Sequence, residues 1–400
     1  MVREVAVTGM GIVCAHGRGL PTFLQSLQTG ASGIRPVTLF AVDDYGFKSM
    51  GQIPELGLRG NRDRAVELAL LAADDAITDC GREWIFANGH RTGVVVGTTC
   101  GGITSHEAYV AHQRAAHNSP EEMDRQILED IPFHALSTAL AQSYRLQGPA
   151  ITITIACASG SNAVGIAADL IRRGQADLVL AGGSDTVSPF TFSGFSILRA
   201  MTKEACRPFD RGRDGLALGE GAAFVVVECA QSARQRGAKI YAEVAGHGFF
   251  NDGFHSTAPD PQGGGMSRSV LRALRNASIN ASEIGYVNAH GTGTRANDVA
   301  ECRAYKKAFA DHAYRTPISS TKSMIGHTLG AAGAVEVVAT VLALKEQFIP
   351  PTINFRDPDP ECDLDVVPNE ARDARLRYAM CCNAGFGGNN SAVVIKQAAA

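Results

Sequence analysis

The amino-acid sequence predicts an α/β fold, in which short strands alternate with helices along 400 residues. Short apolar runs typical of strands recur, and segments whose apolar residues follow helical spacing fill the gaps between them. Glycine, at 43 residues, clusters mostly just after the strand-like runs, where a tight turn into a helix requires positive φ or close backbone contact. Both observations favour a layered α/β protein.

The first half of the chain contains five predicted strands, at residues 5–8, 93–97, 151–156, 178–181 and 223–227. Three helices are predicted between them, at residues 65–80, 133–146 and 161–173. The first helix stops at Gly81, the second follows Pro132, and the third stops at Gly174, as expected for residues that end or begin helices.

A polar break at residues 234–239 separates this stretch from a second one with the same alternation. Strands are predicted there at residues 240–244, 285–289, 317–320 and 392–395, and helices at residues 267–276, 299–310 and 333–347. The sequence contains no linker-like or low-complexity tract, so the two halves, residues 1–238 and 239–400, are expected to pack tightly.

Composition argues against several classes of partner. The formal net charge is −3, with 45% hydrophobic and 19% charged residues, so neither nucleic acid nor an anionic membrane surface is expected as a partner. No apolar run approaches the ~20 residues of a membrane span, and the first residues show no signal pattern. The ten cysteines form no C-x-x-C pair, which is typical of reduced thiols. The sequence therefore predicts a cytoplasmic enzyme.

Cys157 is the first candidate catalytic residue. It follows a run in which isoleucine and threonine alternate, residues 151–155, and precedes a helix that starts with small residues. Unpaired backbone N–H groups and the positive end of the helix dipole favour the thiolate at such a position. Cys157 is therefore expected to be an ionised nucleophile.

Two histidines occupy similar glycine-rich joints. His290 ends a strand-like run and precedes Gly291-Thr-Gly-Thr294, and His327 precedes Thr328-Leu-Gly-Ala-Ala-Gly333 and a helix. Strand ends and helix starts meet at one edge of an α/β sheet, so the three side chains are expected to share one site.

Other uses of cysteine and histidine fit the sequence less well. A zinc site is disfavoured because C-x-x-C, H-x-x-x-H and H-E-x-x-H spacings are absent, as is a phosphate-binding loop of the nucleotide-hydrolase type. A cysteine protease would orient one histidine with asparagine or aspartate, whereas the third partner here is another histidine. No metal and no organic cofactor is predicted.

A thiolate with two histidines suits carbon–carbon bond formation. The cysteine can accept an acyl group as a thioester. Two neutral imidazoles can donate hydrogen bonds to the enolate oxygen that forms when a malonyl thioester loses carbon dioxide. Decarboxylation supplies the carbanion, so no strong base is required.

Short motifs spread from end to end carry a resemblance to a known family. They are Val5-Ala-Val-Thr-Gly-Met-Gly11, Ala156-Cys-Ala-Ser-Gly160, Ala181-Gly-Gly183, Arg207-Pro-Phe-Asp210, Gly219-Glu-Gly221, Asn288-Ala-His-Gly-Thr-Gly-Thr294, Lys322-Ser-Met-Ile-Gly-His-Thr-Leu-Gly-Ala-Ala-Gly333, Pro350-Pro-Thr-Ile-Asn354 and Gly385-Phe-Gly-Gly388. Together they resemble the β-ketoacyl-[acyl-carrier-protein] synthases, in the KAS II-like, type I/II Cys-His-His branch of the thiolase-like condensing enzymes.

The resemblance implies a thiolase-like five-layered αβαβα sandwich of two similar halves, assembled as a dimer with the nucleophile strand near the interface. It implies that Cys157 is acylated and that His290 and His327 assist decarboxylation and condensation. Lys322 and Glu336 match family positions of supporting role.

The same resemblance implies how substrate is held. Thr292 and Thr294 match residues that bind the phosphopantetheine arm. The N–H groups of Cys157 and Phe386 would form the oxyanion hole, with the Phe386 ring gating the acyl pocket. Cys100 falls where relatives place a residue that limits chain length, often a larger aliphatic, so a longer or more rigid acyl group is expected to fit.

An elongating enzyme that uses acyl carrier protein is the favoured interpretation. Relatives that start chains from acyl-CoA carry a Cys-His-Asn pattern, whereas this chain has His327 at the third position. Bulk fatty-acid and type II polyketide synthesis both fit. Two departures from the family pattern favour a specialised pathway: Ala158 stands where relatives often have threonine, and one aromatic residue of the gate loop is replaced by Ala384 or deleted. A homodimer is expected. A subunit of a heterodimer with a chain-length factor, and a thiolase acting on CoA thioesters, stay open as alternatives.

Overall fold

The computed structural model describes residues 3–54, 56–58, 60–115 and 124–398. The strands are β1 (Val5–Cys14), β2 (Gly17–Arg18), β3 (Arg35–Pro36), β4 (Ser49–Met50), β5 (Thr92–Gly97), β6 (Ala150–Ile153), β7 (Leu178–Asp185), β8 (Gly221–Cys229), β9 (Ala242–Asn251), β10 (Ile284–Asn288), β11 (Ile318–Ser319), β12 (Phe348–Ile349), β13 (Arg372–Asp373), β14 (Tyr378–Gly385) and β15 (Asn389–Gln397). The helices are α1 (Leu20–Thr29), α2 (Arg64–Cys80), α3 (Arg82–Ala87), α4 (Ile103–Ala115), α5 (Arg125–Asp130), α6 (Ala135–Tyr144), α7 (Ser159–Arg172), α8 (Pro189–Ile197), α9 (Ala230–Gln235), α10 (Gly264–Ala277), α11 (Arg295–Phe309), α12 (Lys322–Ile325) and α13 (Ala332–Glu346).

Two sheets with the same topology form the framework. The first has the strand order β1-β8-β7-β5-β6 and the second has the order β9-β15-β14-β10-β11. In each sheet the first two neighbouring pairs are antiparallel and the last two are parallel. The sheets join through two residue pairs between β1 and β9. The chain therefore consists of two similar halves, although no repeat is visible in the sequence itself.

Five layers result from the way the helices cover these sheets. Helices α7 and α13 lie between the sheets and contact strands of both, and α2 and α6 cover the outer face of the first. Helix α10 covers the outer face of the second sheet, together with α11, which packs on α10 and shares an apolar cluster with strands of that sheet. This αβαβα arrangement confirms the predicted fold class. None of the described helices is both long and apolar enough to cross a membrane.

Small residues allow the two central helices to approach closely. A β-carbon added at Gly160 of α7 would come within 2.6 Å of the Ala334 nitrogen, and one at Gly333 of α13 within 2.5 Å of the Ser161 nitrogen. Only glycine fits at such distances. The joint that carries Cys157 and the joint that carries His327 precede these helices, so the close packing brings both joints together.

Most predicted elements are present, with shifted ends. The strand predicted at residues 151–156 ends at Ile153, because the backbone turns before Cys157 and Ala156 adopts a φ of 53°. Among the elements longer than six residues, strand β14 and helices α1, α4 and α8 were not predicted. All but the last two residues of β14 are buried, so the strand lacks the alternation of apolar and polar residues that marks a half-exposed strand.

Candidate active site

Cys157 lies in a strained turn between β6 and α7. Ala156 occupies the left-handed region, which costs a non-glycine residue energy and is common at functional sites. Ser159 holds the turn, because its Oγ accepts the Ile155 N–H at 2.9 Å and donates to the Ala156 carbonyl at 2.6 Å. The turn directs the Cys157 side chain into a cavity, where the residue is only 6% exposed.

His327 contacts the nucleophile directly. Its Nε2 lies 3.0 Å from the Cys157 sulfur, although the two residues are far apart in the chain. Backbone hydrogen bonds fix the histidine, because its N–H donates to the Ala217 carbonyl at 2.7 Å and its carbonyl accepts the Gly219 N–H at 2.9 Å. The Nδ1 atom is buried without a hydrogen-bond partner among the described residues, so the tautomer of the ring depends on the contact that Nε2 makes with the thiol.

His290 completes the group from the second half of the chain. Its ring meets the His327 ring edge to face, with centroids 5.2 Å apart and an interplanar angle of 83°. The buried carboxylate of Glu301 holds the joint after β10, since it accepts the N–H groups of His290 at 2.6 Å and Gly291 at 2.8 Å. The structure therefore brings together the three side chains that the sequence singled out.

Burial sets the protonation states of these side chains. It lowers the pKa of both His290 and His327 well below the usual histidine range, and the charge of Lys322 lowers them further. Burial also raises the pKa of Cys157 to about 12, against the opposing effect of Lys322. Both shifts favour a thiol and a neutral imidazole at rest. They run against the expectation of an ionised nucleophile, because burial removes the hydration that a thiolate needs.

Lys322 and Glu336 form a buried ion pair behind the histidines. Both side chains are 1% exposed, and Lys322 Nζ contacts Glu336 Oε1. Burial raises the pKa of Glu336 to about 7, opposed first by the charge of Lys322 and also by a hydrogen bond from Asn383. The pair acts on the site through its charges, because neither residue lines the cavity.

The cavity has a volume of about 370 Å³ and contains most of the predicted site residues. Cys157, His290 and His327 line it, as do Thr292, Thr294 and Phe386. The two threonine hydroxyls lie 2.9 Å apart, and the Phe386 ring stacks on Phe195 at 5.8 Å. A β-carbon at Gly385 would lie 3.0 Å from the Cys157 nitrogen, so the backbone before Phe386 passes directly beside the nucleophile.

Cys100 does not line this cavity. It packs in an apolar cluster with Leu216 and Phe195, which do line it, and its N–H donates to Asp185 at 2.9 Å. Cys100 therefore lies behind the residues that line the cavity. Cys100 is half-buried, and the loss of hydration raises the pKa of its thiol.

Three buried polar residues of the site were missed by sequence reasoning: Asp185, Glu301 and Asn383. Asp185 accepts N–H groups of Thr99 at 2.7 Å and Gly330 at 2.6 Å, and so ties the loop after β5 to the segment after His327. Asp185 and Glu301 belong to no motif with recognisable chemistry, and Asn383 stands in the gate loop at residues 382–388, where no role was predicted for it. Within the described ranges, no group of three or more His, Cys, Asp or Glu side chains is arranged to hold a metal ion.

A duplicated αβαβα fold with a buried cysteine and two histidines in one cavity defines a thiolase-like condensing enzyme. Models of the β-ketoacyl synthase N-terminal and C-terminal domains match residues 2–233 and 241–356. The chain therefore belongs to the β-ketoacyl synthase family, whose members are acyltransferases.

Similar proteins extend this assignment over the whole chain. A Streptomyces cyaneus protein named "Putative polyketide beta-ketoacyl synthase 1" is 42% identical over 99% of this chain and 98% of its own. The 3-oxoacyl-[acyl-carrier-protein] synthase 2 of Coxiella burnetii is 39% identical over 99% of both chains. The solved structure of the ishigamide ketosynthase/chain length factor matches with a TM-score of 0.94 and 36% identity, over 100% of both chains.

Proposed function

We propose that this β-ketoacyl synthase elongates carrier-bound acyl chains by decarboxylative condensation, through an acyl group on Cys157. The observation that carries the proposal is the 3.0 Å contact between the Cys157 sulfur and His327 Nε2, with the His290 ring perpendicular to that of His327 in the same cavity. A nucleophile beside one imidazole, with a second imidazole facing the same space, supplies both acyl transfer and enolate stabilisation.

Acyl transfer starts from the neutral thiol–imidazole pair. The Cys157 sulfur attacks the thioester carbonyl while its proton passes to His327 Nε2. The carbon–sulfur bond to the carrier arm then breaks, and the imidazolium returns the proton to the departing thiolate. Burial disfavours a free thiolate here, so concerted proton transfer to a base within contact distance gives the lower-energy route.

Condensation uses the same imidazoles as hydrogen-bond donors. A malonyl thioester loses carbon dioxide, and the electrons of the broken bond form an enolate whose oxygen accepts N–H bonds from His290 and His327. His327 donates here as the tautomer protonated on Nε2, which forms once the acylated sulfur no longer offers a proton to that nitrogen. The enolate carbon attacks the Cys157 thioester, the carbon–sulfur bond breaks, and the cysteine thiolate takes up a proton that comes from solvent. Both rings are neutral in the condensation step, as donation without proton transfer requires. The charge of Lys322, which is paired with Glu336, favours this neutral state of both rings.

Acyl carrier protein is the proposed partner, in keeping with the name of the Coxiella burnetii relative. Thr292 and Thr294 line the cavity and offer hydroxyls to the amides of a phosphopantetheine arm. The N–H groups of Cys157 and Phe386 form the proposed oxyanion hole, which the close passage of Gly385 beside the Cys157 nitrogen supports. Phe386, stacked on Phe195, is the proposed gate.

Several further assignments belong to the same proposal. The protein works in fatty-acid or type II polyketide synthesis as a cytoplasmic homodimer; all ten cysteines are free, in keeping with a reducing compartment. The two halves divide at residues 238 and 239, between α9 and β9. A heterodimer with a chain-length factor is the second candidate assembly, favoured by the match to the ishigamide pair.

The test is a reconstituted condensation. Purified protein is incubated with acyl-carrier protein and malonyl-carrier protein, and the products are weighed by mass spectrometry. We expect a carrier-bound 3-oxoacyl chain two carbons longer than the primer, an acyl adduct on Cys157, and loss of both in Cys157→Ala. Cys14→Ala, at a buried cysteine in β1, is the matched control.

The alternatives give different results in the same experiment. A catalytically silent subunit forms neither adduct nor product, and addition of a partner subunit restores product without an adduct on Cys157. A thiolase forms product from acetyl-CoA alone, without malonyl groups. Either result would contradict the proposed elongation.

A further inference from the structure

A buried amide, Asn383, connects the Lys322–Glu336 ion pair to the strand that leads to Phe386. Asn383 lies in β14 and its side chain is fully buried. Its Nδ2 donates to Glu336 Oε2 at 2.5 Å, while Lys322 contacts the other carboxylate oxygen. The other group near Oε2 is the Cys381 sulfur, at 4.0 Å. The carboxylate is therefore held from two sides.

Asn383 also lies where three segments of the active site meet. A β-carbon at Gly333 would approach Asn383 Oδ1 to 2.7 Å and the Ser161 nitrogen to 2.5 Å. Gly333 lies in the first turn of α13, which follows the His327 segment, and Ser161 lies in α7, which follows Cys157. The amide thus contacts or adjoins the segments of Cys157, His327 and Phe386.

A hydrogen-bonding side chain at this position requires an explanation. The backbone of Asn383 already pairs with Ser391 in the β14–β15 ladder, so the side chain is not needed for sheet formation. A buried amide loses hydration and is retained only where it finds partners, whereas an apolar residue of similar size would pack without that cost. The partner here is the carboxylate of Glu336.

We propose that Asn383 is a positioning residue for condensation: its amide orients the Glu336 carboxylate on Lys322 and holds the end of β14, with Phe386, beside Cys157. This inference rests on the proposed function. Asn383 itself touches no substrate, since it does not line the cavity.

Several charged and titratable groups face Glu336 and share its field. They are Lys322 on α12, Glu301 on α11, Tyr286 on β10, Cys381 and Cys382 on β14, and Cys157. Only Lys322 and the Asn383 amide stabilise the ionised carboxylate, and Glu301 opposes it. Removing the amide therefore favours the protonated form of Glu336, which cannot pair with Lys322.

A double-mutant cycle tests the inference. Asn383→Leu removes the donor at similar volume, Glu336→Gln removes the charge, and the double variant closes the cycle. We expect Asn383→Leu to lower kcat for condensation about tenfold without raising KM for the malonyl carrier substrate. We also expect the acidic limb of its pH–rate profile to move to higher pH. In the Glu336→Gln background the same substitution should change little.

The same two measurements, kcat and the acidic limb of the pH–rate profile, are made on a control variant. Asn276→Leu removes an amide that donates to the His247 carbonyl, outside the cavity, and should leave kcat and the pH limb unchanged. A loss that is equally large with and without Glu336, or an unmoved pH limb, would overturn the inference. Should Asn383→Leu fail to fold, Asn383→Asp replaces it: a second carboxylate beside Glu336 must move the same limb to higher pH, and an unmoved limb overturns the proposal. Failure of the wild-type protein to condense would contradict the proposed function instead.

Discussion

His290 and His327 differ in what they touch, although both rings are buried and uncharged. His327 lies against the sulfur of Cys157, whereas His290 contacts His327 and is anchored through its backbone to Glu301. The proton of the thiol can therefore reach His327 but not His290. The two histidines should therefore share condensation, whereas acyl transfer should use His327 alone.

His290→Ala should accordingly separate acylation from condensation. We expect the condensation rate to fall about 10²–10³-fold, because one of two donors to the enolate is lost. Acylation of Cys157 should proceed at close to the wild-type rate. Intact-protein mass spectrometry follows acylation, and rapid quenching follows product, with His312→Ala outside the cavity as control. An equal loss of both steps would contradict the assignment.

The burial of Cys157 predicts how its alkylation depends on pH. Because the pKa of the thiol is raised to about 12, the thiolate fraction grows about tenfold for each pH unit over the neutral and mildly alkaline range. The rate of alkylation by iodoacetamide should thus keep rising without a plateau. Lys322→Met should slow it at every pH, since the lysine charge favours the thiolate. Peptide mass spectrometry assigns the label to Cys157, and a plateau near pH 7 would show that the thiolate is already present at rest.

Cys100 provides the test of acyl specificity. It shares an apolar cluster with Leu216 and Phe195, which line the cavity, so a larger side chain should crowd this cluster and narrow the cavity. Cys100→Phe is expected to shift the products towards shorter chains, with Cys100→Ala as the control that adds no volume. The measurement is the length distribution of carrier-bound products by mass spectrometry. An unchanged distribution would assign Cys100 to packing alone.

At the scale of the elements, the site consists of joints between a strand and a helix. Helices α7 and α13 can lie side by side only because glycine stands at their contact points, as at Gly160 and Gly333. The contact fixes the relative position of the Cys157 and His327 joints. Disturbing it should reduce stability and activity together.

Gly333→Ala is expected to destabilise the protein by about 1–3 kcal/mol, because the added methyl group meets backbone and side-chain atoms that cannot move away. Gly194→Ala in helix α8 is the matched control, since a β-carbon there would meet no atom within 4 Å. The control should be neutral or stabilising by up to about 1 kcal/mol. Urea unfolding followed by circular dichroism measures both. Equal stability of the two variants would show that the helices can separate without cost.

The elements also show which parts of the structure a sequence can predict. Cys157, His290 and His327 stand in glycine-rich joints whose pattern is local, so their positions at strand ends could be predicted. Asp185 and Glu301 act through contacts between segments distant in the chain, and a single buried carboxylate carries no local pattern. Strand β14 was missed for a related reason, because its buried residues on both faces remove the two-residue period.

At the scale of the whole molecule, the duplicated topology places the reacting groups in different halves. Cys157 follows β6 of the first sheet, and His290 and His327 belong to the second half, yet all three line one cavity. The sequence predicted two tightly packed halves from the absence of a linker. It did not show that the sheets share one topology, because that likeness lies in strand order and direction rather than in residue identity.

The shared central layer predicts that the two halves unfold together. Helix α7 comes from the first half and α13 from the second, and each contacts strands of both sheets, so loss of either half exposes apolar surface of the other. Trp84, the one tryptophan, lies in α3 of the first half and its fluorescence reports that half alone. Far-ultraviolet circular dichroism reports the whole chain. In urea, at a fixed protein concentration, both signals should therefore change in a single coincident transition, and the Cys157→Ala variant should do the same because the thiol is not part of the contact between the sheets. A dichroism change that precedes or follows the fluorescence change would show that one half is stable without the other, and that the active site can be lost while half of the fold remains.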